Sequence, residues 1–253
     1  MKYSFDTAFN LNGQVALITG GASGIGKCIA ELFAERGATL ILVDKNENVH
    51  ETARALGENH LSWVADVSDE ASTQQIVADS AEKLGHIDIL VNNAGIGPLA
   101  KSEETSADLW DITMAVNLRG PFLYAREVGK QMLKQKSGRI VNLASQAALV
   151  ALDGHLAYCA SKAGVLGMTR VMAMEWGPEG ITVNAISPTV VETELGAGGY
   201  WSGETGANFK AKVPARRFAQ PEEIALSALY LVSGAAGMVN GENLVVDGGY
   251  TAT

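Results

Sequence analysis

Cysteine, basic charge and long apolar runs are all in short supply in this 253-residue chain. Cys28 and Cys159 are its two cysteines, which allows no disulfide framework and no metal-ligand spacing. Cys28 falls inside a predicted helix and reads as a small core residue. No His/Cys/Asp cluster suited to a catalytic metal stands out, so none is expected. No run approaches the ~18 apolar residues of a membrane span, and MKYSFDTAFNLNG at the start carries no apolar targeting segment. The expected setting is therefore reducing and cytoplasmic. With 19 Lys and Arg against 28 Asp and Glu the net charge is −9, which argues against nucleic acid or an anionic membrane as partner. What remains is an ordinary globule, 47% hydrophobic and 19% charged, long enough to bury a full core. Linkers, repeats and low-complexity stretches are absent, so one domain spanning residues 1–253 is expected.

Short apolar runs alternate with helical periodicity along the chain. Gln14–Thr19 reads as a buried strand and runs directly into Gly20-Gly21-Ala22-Ser23-Gly24-Ile25-Gly26 and an amphipathic helix, Lys27–Arg36, stopped by Gly37. Strand, glycine turn and helix in that order make a phosphate cradle. Gly20 permits the turn, Gly24 lets backbone approach a pyrophosphate, and Gly26 lets the helix pack close to the sheet. The helix N-terminus supplies free N–H groups and positive dipole. The next strand, Thr39–Val43, ends in Asp44, eighteen residues beyond Gly26. A carboxylate there accepts hydrogen bonds from adenosine ribose hydroxyls and repels a 2′-phosphate, which favours NAD over NADP; Lys45 beside it softens that exclusion.

Further strands are predicted at Leu61–Ala65, Ile87–Val91, Ile140–Ala144, Ile181–Ile186 and Asn243–Val246. Helices are predicted at Glu70–Lys83, Ser106–Asn117, Phe122–Lys136, Ala157–Trp176 and Pro221–Ser233. Seven strands separated by helices imply an α/β fold: one Rossmann-type, doubly wound domain on a seven-stranded parallel sheet. Ligands in such sheets gather at the carboxyl ends of the strands. The glycine turn, Asp44, Asp66, Asn93, Ser145 and the segment after Ser187 all fall there.

Ser145 leaves the fifth strand, and Tyr158 and Lys162 follow four apart on one helix face. An ammonium beside a phenol favours the phenolate, and each unit of depression from the usual pKa of about 10 requires ~1.4 kcal/mol. With a bound cationic ring helping the lysine in a partly desolvated site, the expectation is a tyrosine able to act as a base near neutral pH. An exposed helix with an incidental Tyr and Lys would show the same spacing.

Together, TGGASGIG at Thr19–Gly26, NNAG at Asn92–Gly95, Asn117, Ser145 and YCASK at Tyr158–Lys162 resemble the short-chain dehydrogenase/reductase family over essentially the whole chain. The resemblance implies Tyr158 as catalytic acid/base and Lys162 as its electrostatic partner and a ribose ligand. It implies Ser145 holding the substrate oxygen and Asn117 positioning a water chain to Lys162. It also implies that Gly20, Ser23, Ile25, Gly26, Asp44, Asp66, Val67, Asn93, Ala94, Gly95, Val191 and Thr193 contact NAD. One departure is Pro188-Thr189 where the family usually has Pro-Gly, so the loop over the nicotinamide is expected to be set differently.

Residues 189–214 are rich in glycine and aromatics and poor in periodicity, which reads as a substrate lid. Tyr200 and Trp201 there serve equally as ligand contacts or as surface aromatics packed on a neighbour. Gln146 follows Ser145, and His155 precedes Tyr158 by three; a lone histidine is more often a structural hydrogen-bonder. Ser145-Gln146, His155 and PTVVETELG at Pro188–Gly196 are similar, as a set, to the polyol dehydrogenase and L-xylulose reductase branch, with D-threitol and galactitol dehydrogenases nearest in pattern. The branch implies Gln146, His155 and Trp201 as contacts to sugar hydroxyls and a polyol or ketose as partner. The implied reaction is NAD-dependent oxidation of a short alditol to its ketose, and the reverse. A 3-oxoacyl-carrier-protein reductase shares the fold and triad, but would prefer NADPH and a basic patch. A non-catalytic nucleotide sensor would show a damaged Ser/Tyr/Lys set, and a steroid dehydrogenase a more apolar segment at Gln146 and His155. The family also implies a homo-oligomer, usually a tetramer, through the helices 122–136 and 157–176.

Overall fold

The apolar runs Val15–Thr19 (β1), Thr39–Asp44 (β2), Leu61–Val64 (β3), Ile89–Asn92 (β4), Gly138–Leu143 (β5), Ile181–Pro188 (β6) and Asn243–Val246 (β7) form one sheet in the computed structural model. It describes residues 5–193, 196 and 200–252. Every pairing is parallel, in the order β3-β2-β1-β4-β5-β6-β7. The expected seven-stranded, doubly wound α/β sheet is what the chain builds. β1 is buried at every residue because helices cover both faces, which is why it reads as a continuous apolar run.

The helices are Phe5–Ala8 (α1), Gly24–Glu35 (α2), Asn48–Leu56 (α3), Glu70–Leu84 (α4), Ala107–Met114 (α5), Gly120–Gln135 (α6), Leu156–Trp176 (α7), Gly203–Lys212 (α8) and Pro221–Val232 (α9). Successive residues of β1 serve opposite layers. Ala16 and Ile18 pack with Ile29 and Phe33 of α2 and Ala228 of α9. Val15 and Leu17 pack with Ile76 of α4, Tyr124 and Val128 of α6, and Met172 of α7. Sequence order reverses between β1 and β4, opening the crevice in which such sheets bind ligands.

Three features depart from the sequence expectations. α1 and α3 have no counterpart among the predicted helices; α1 is a single turn, and the apolar face of α3 is only Val49, Ala53 and Leu56 in an otherwise polar stretch. α8 lies inside the presumed lid, so part of residues 189–214 is a helix; Glu194, Leu195 and 197–199 fall outside the described residues. Finally, α5 and α6 are one continuous rod joined by a π-helical turn, Ala115–Arg119, where two separate helices, Ser106–Asn117 and Phe122–Lys136, were expected. Among the described residues no helix is long and apolar enough to cross a membrane.

Candidate active site

A cleft of about 580 Å³ opens along the carboxyl ends of the strands. Every residue proposed above for the site lines it except Gly26 and Asn117, which sit directly behind its wall. At one end is the glycine turn. Gly20 and Gly24 take φ of +70° and +54°, and a Cβ on Gly26 would stand 2.1 Å from the Gly20 carbonyl oxygen. Ser23, the N-cap of α2, is exposed and makes no side-chain cap bond. The turn thus presents bare backbone and a helix N-terminus to the cleft. Asn93 ties β4 to this turn, its amide donating to the carbonyls of Thr19 (3.0 Å) and Gly20 (3.1 Å).

Asp44, at the end of β2, accepts from the backbone N–H groups of Ala22 (3.0 Å) and Asn46 (2.9 Å). Its carboxylate is thereby fixed at the mouth of the glycine turn. Lys45 turns away from it, toward Asp66 at 3.5 Å. The Ser68 hydroxyl and backbone N–H, donating at 2.7 and 2.9 Å, hold the Asp66 carboxyl below its usual range, with Lys45 adding to the effect.

Further along, the ends of β5 and α7 meet. Ser145 Oγ accepts from the Ala147 N–H at 3.1 Å. Tyr158 lies opposite, its ring against the backbone of Gly97. Lys162 is 4% exposed and donates to the Leu143 carbonyl at 2.7 Å, with Nζ 5.7 Å from the centre of the Tyr158 ring. Desolvation raises the Tyr158 phenol above its ordinary value, with the Ser145 hydroxyl pulling partly the other way. The same desolvation pushes Lys162 down to about 8. The ammonium is thus held by a backbone carbonyl, with its charge beside the Tyr158 ring.

Asn117 lies within the π turn and is fully buried. Its amide accepts from Ile96 N–H at 2.8 Å and donates to Ile96 O at 2.8 Å and Ser161 Oγ at 3.2 Å. The side chain is a clamp on the loop after β4. Pro121, four residues on, has no N–H to offer the Asn117 carbonyl, which therefore lacks its α-helical donor.

At the far end, His155 is 7% exposed and its Nδ1 lies 2.6 Å from the Asp153 carbonyl oxygen. A carbonyl only accepts, so Nδ1 carries the proton and Nε2 is left as an acceptor. Trp201 stacks on this imidazole at 5.9 Å and packs on Phe209 at 4.5 Å, making it a cleft wall; Tyr200 meets His155 edge-on and remains half exposed. Lys101 and Asp153 pair at 2.7 Å on the rim. Gln146 is 1% exposed, and its Oε1 has no hydrogen-bond partner. Sequence reasoning did not name Leu152 or Thr189 as cleft residues. Leu152 carries no polar signal, whereas Thr189 was noted only for what it replaced.

A family model described as enoyl-(acyl carrier protein) reductase matches residues 20–251. Over 248 residues, 98% of its length, the chain is 48% identical to the NAD-dependent glycerol dehydrogenase of Listeria innocua, of which 97% is covered. The chain belongs to the short-chain dehydrogenase/reductase family. Within that family it is also 52% identical to the D-threitol dehydrogenase of Mycolicibacterium smegmatis, over 99% of this chain and 97% of that one. Among solved structures, a gluconate 5-dehydrogenase from Burkholderia cenocepacia in complex with NADP and tartrate matches with a TM-score of 0.94 at 34% identity, covering 99% of this chain and 100% of that chain. These relatives agree with the polyol dehydrogenase branch of the short-chain dehydrogenase/reductase family read from Ser145-Gln146, His155 and the segment after Pro188.

Proposed function

We propose that the chain oxidises a secondary hydroxyl of a short alditol, such as a tetritol, to the ketose with NAD, and catalyses the reverse. The observation that carries this reading is Gln146 Oε1, buried without a hydrogen-bond partner, in a residue lining the cleft that also holds Tyr158 and the His155 imidazole, whose Nδ1 is engaged by Asp153. A buried polar group left unpaired costs about 1–3 kcal/mol, so a polyhydroxylated ligand suits this atom and an acyl chain does not. The 48–52% identity to glycerol and D-threitol dehydrogenases supports the same substrate class.

The residues present fit a dinucleotide. A Cβ at Gly20 or Gly26 would close the cradle at its base, and the bare N-terminus of α2 suits a pyrophosphate. Asp44 would take the adenosine ribose hydroxyls, with Asp66 and Val67 toward the adenine. Thr193 and Val191 would hold the carboxamide, and Lys162 the second ribose. When bound, the nicotinamide supplies the hydride acceptor. The chain does the rest. Tyr158 takes the hydroxyl proton at its phenolic oxygen, and Ser145 Oγ donates to the oxyanion that develops. The Asn117 carbonyl, without its helical donor, is suited to hold a water in line with Lys162, so that the proton can leave toward solvent. Gln146, His155 and Trp201 orient the neighbouring hydroxyls.

NAD reduction against alditols of four to six carbons, with NADP in parallel, tests the reading; turnover of one or two alditols with NAD is expected. Reduction of β-ketoacyl thioesters with no alditol turnover would support the alternative, an acyl-carrier ketone reductase, the activity named for a 38% identical relative from Thermotoga maritima. We further propose a homo-oligomer, a tetramer, built through α6 and α7, whose Phe122, Val171 and Met174 are exposed; the solution mass by light scattering checks it.

A further inference from the structure

Thr189 is 7% exposed, and its Oγ1 is buried without a hydrogen-bond partner, although the residue lines the cleft. A hydroxyl left unpaired inside a protein is a cost to the fold, and a native structure seldom carries it without a reason. The backbone offers none. Thr189 is absent from the non-glycine residues with positive φ, so the position does not need glycine, and its N–H donates to the Val246 carbonyl at 3.1 Å. The side chain is therefore placed by the rigid edge of the sheet.

Its neighbour across that edge is the second orphan of the cleft. β5 and β6 run side by side with Leu143 opposite Ile186, and the Ala144 N–H still donates to Ile186 O at 2.8 Å as the strands end. Three residues further on, the two chains reach Gln146 and Thr189, and the short 3-10 turn Gln146–Ala148 packs against β6. Two unsatisfied oxygens, one an acceptor and one both donor and acceptor, thus sit at the ends of adjacent strands, buried in residues that line the same cavity. Val190, next in the chain, joins the cluster of Leu152, Trp201 and Phe209 at the substrate end.

Building on the polyol reading above, we propose that Thr189 is a substrate-contact residue. With Gln146 it forms a two-point subsite for one ligand hydroxyl other than the one oxidised. That hydroxyl donates to Gln146 Oε1 and accepts from the Thr189 hydroxyl.

The test compares Thr189→Val and Thr189→Ser with the unaltered enzyme, reading KM for the best alditol, the dissociation constant of NADH by fluorescence, and thermal midpoint. Valine keeps the shape and removes the orphan oxygen. We expect Thr189→Val to raise the alditol KM about 10- to 100-fold, as loss of a buried substrate hydrogen bond does. NADH affinity should stay within about twofold, and the midpoint should hold or rise by roughly 2–4 °C, as relief of an unpaired group predicts. Thr189→Ser should return KM to near its original value. An unchanged KM overturns the assignment. So does a loss of NADH affinity in step with KM, which would give the hydroxyl to the dinucleotide, or a lower midpoint that serine restores, which would give it to the fold. An unaltered enzyme that turns over no alditol overturns the polyol reading itself, a result visible before any variant is made.

Discussion

Lys162 and Tyr158 meet ring to ammonium: Nζ stands 5.7 Å from the centre of the phenol ring while its hydrogen bond runs to the Leu143 carbonyl at 2.7 Å. Burial holds the phenol above its ordinary range. In the free enzyme at neutral pH Tyr158 is therefore protonated, the form that delivers a proton to a ketose oxygen. Alditol oxidation needs the opposite form. Oxidation should rise with pH on the alkaline side while reduction holds until the phenol itself titrates, and Tyr158→Phe should lose about 10²- to 10⁴-fold in both. Initial rates in both directions between about pH 6 and 10 check this, and parallel profiles would remove Tyr158 from the proton transfer.

The buried ammonium also ties stability to pH. Lys162 falls from 10.5 to about 8 on folding, so between those values the unfolded chain binds more protons and stability rises with pH. Below about 8 the burial penalty is fully present, on the order of 3 kcal/mol. Lys162→Met removes that penalty and also leaves the Leu143 carbonyl unpaired, a loss of about 1–3 kcal/mol. Near neutral pH the two effects nearly cancel. Denaturant titration at pH 7.5 and 10.5 should show the unaltered enzyme gaining roughly 3 kcal/mol over Lys162→Met as pH rises; a constant difference would contradict it.

Asp44 is held by two backbone N–H groups, and Lys45 points away toward Asp66. Among the described residues no cation pairs with Asp44 to soften its repulsion of a 2′-phosphate. Asp44→Asn keeps an acceptor and deletes the charge. Turnover with NADP should rise about tenfold and turnover with NAD should fall, narrowing the ratio from both sides. If the NAD/NADP ratio of kcat/KM does not move, discrimination lies elsewhere.

His155 offers an acceptor nitrogen because Asp153 fixes its other proton. His155→Phe preserves stacking on Trp201 and deletes the acceptor. KM for the alditol should rise about tenfold with kcat less affected, while NADH binding is unchanged. A variant indistinguishable from the parent would leave His155 a purely structural residue.

The sheet and the glycine turn were legible because each rests on a strong local signal. Buried parallel strands are unbroken apolar runs, and Gly20–Gly26 follows one of them directly. The strand-exit rule then placed Asp44, Asp66, Asn93 and Ser145 around a single cleft, while Tyr158 and Lys162 came from their spacing on one helix and the family resemblance. What stayed hidden depends on tertiary packing. α8 shows no periodic face because its helix is held by Phe209 in an aromatic cluster with Trp201, Phe218 and Tyr250. The direction of the Lys162 ammonium follows from the Leu143 carbonyl, nineteen residues away in sequence, which no i,i+4 rule includes. The orphan oxygens of Gln146 and Thr189 are defined by missing partners, and a missing partner is not written in sequence.

A rod with one residue too many keeps its two halves out of step. The π turn at Ala115–Arg119 closes on the fifth residue, the Gly120 N–H donating to the Ala115 carbonyl, so α5 is rotated by about 100° from where a regular continuation of α6 would carry it. That rotation turns Ile112 onto the cleft beside Val116. Deleting Ala115 would mend the rod and make it more regular. Far-UV circular dichroism should register equal or greater helix content, while turnover falls because Ile112 no longer lines the cleft. The irregularity is the part of this helix that selection would have to guard most closely, since every local preference of the backbone favours repairing it.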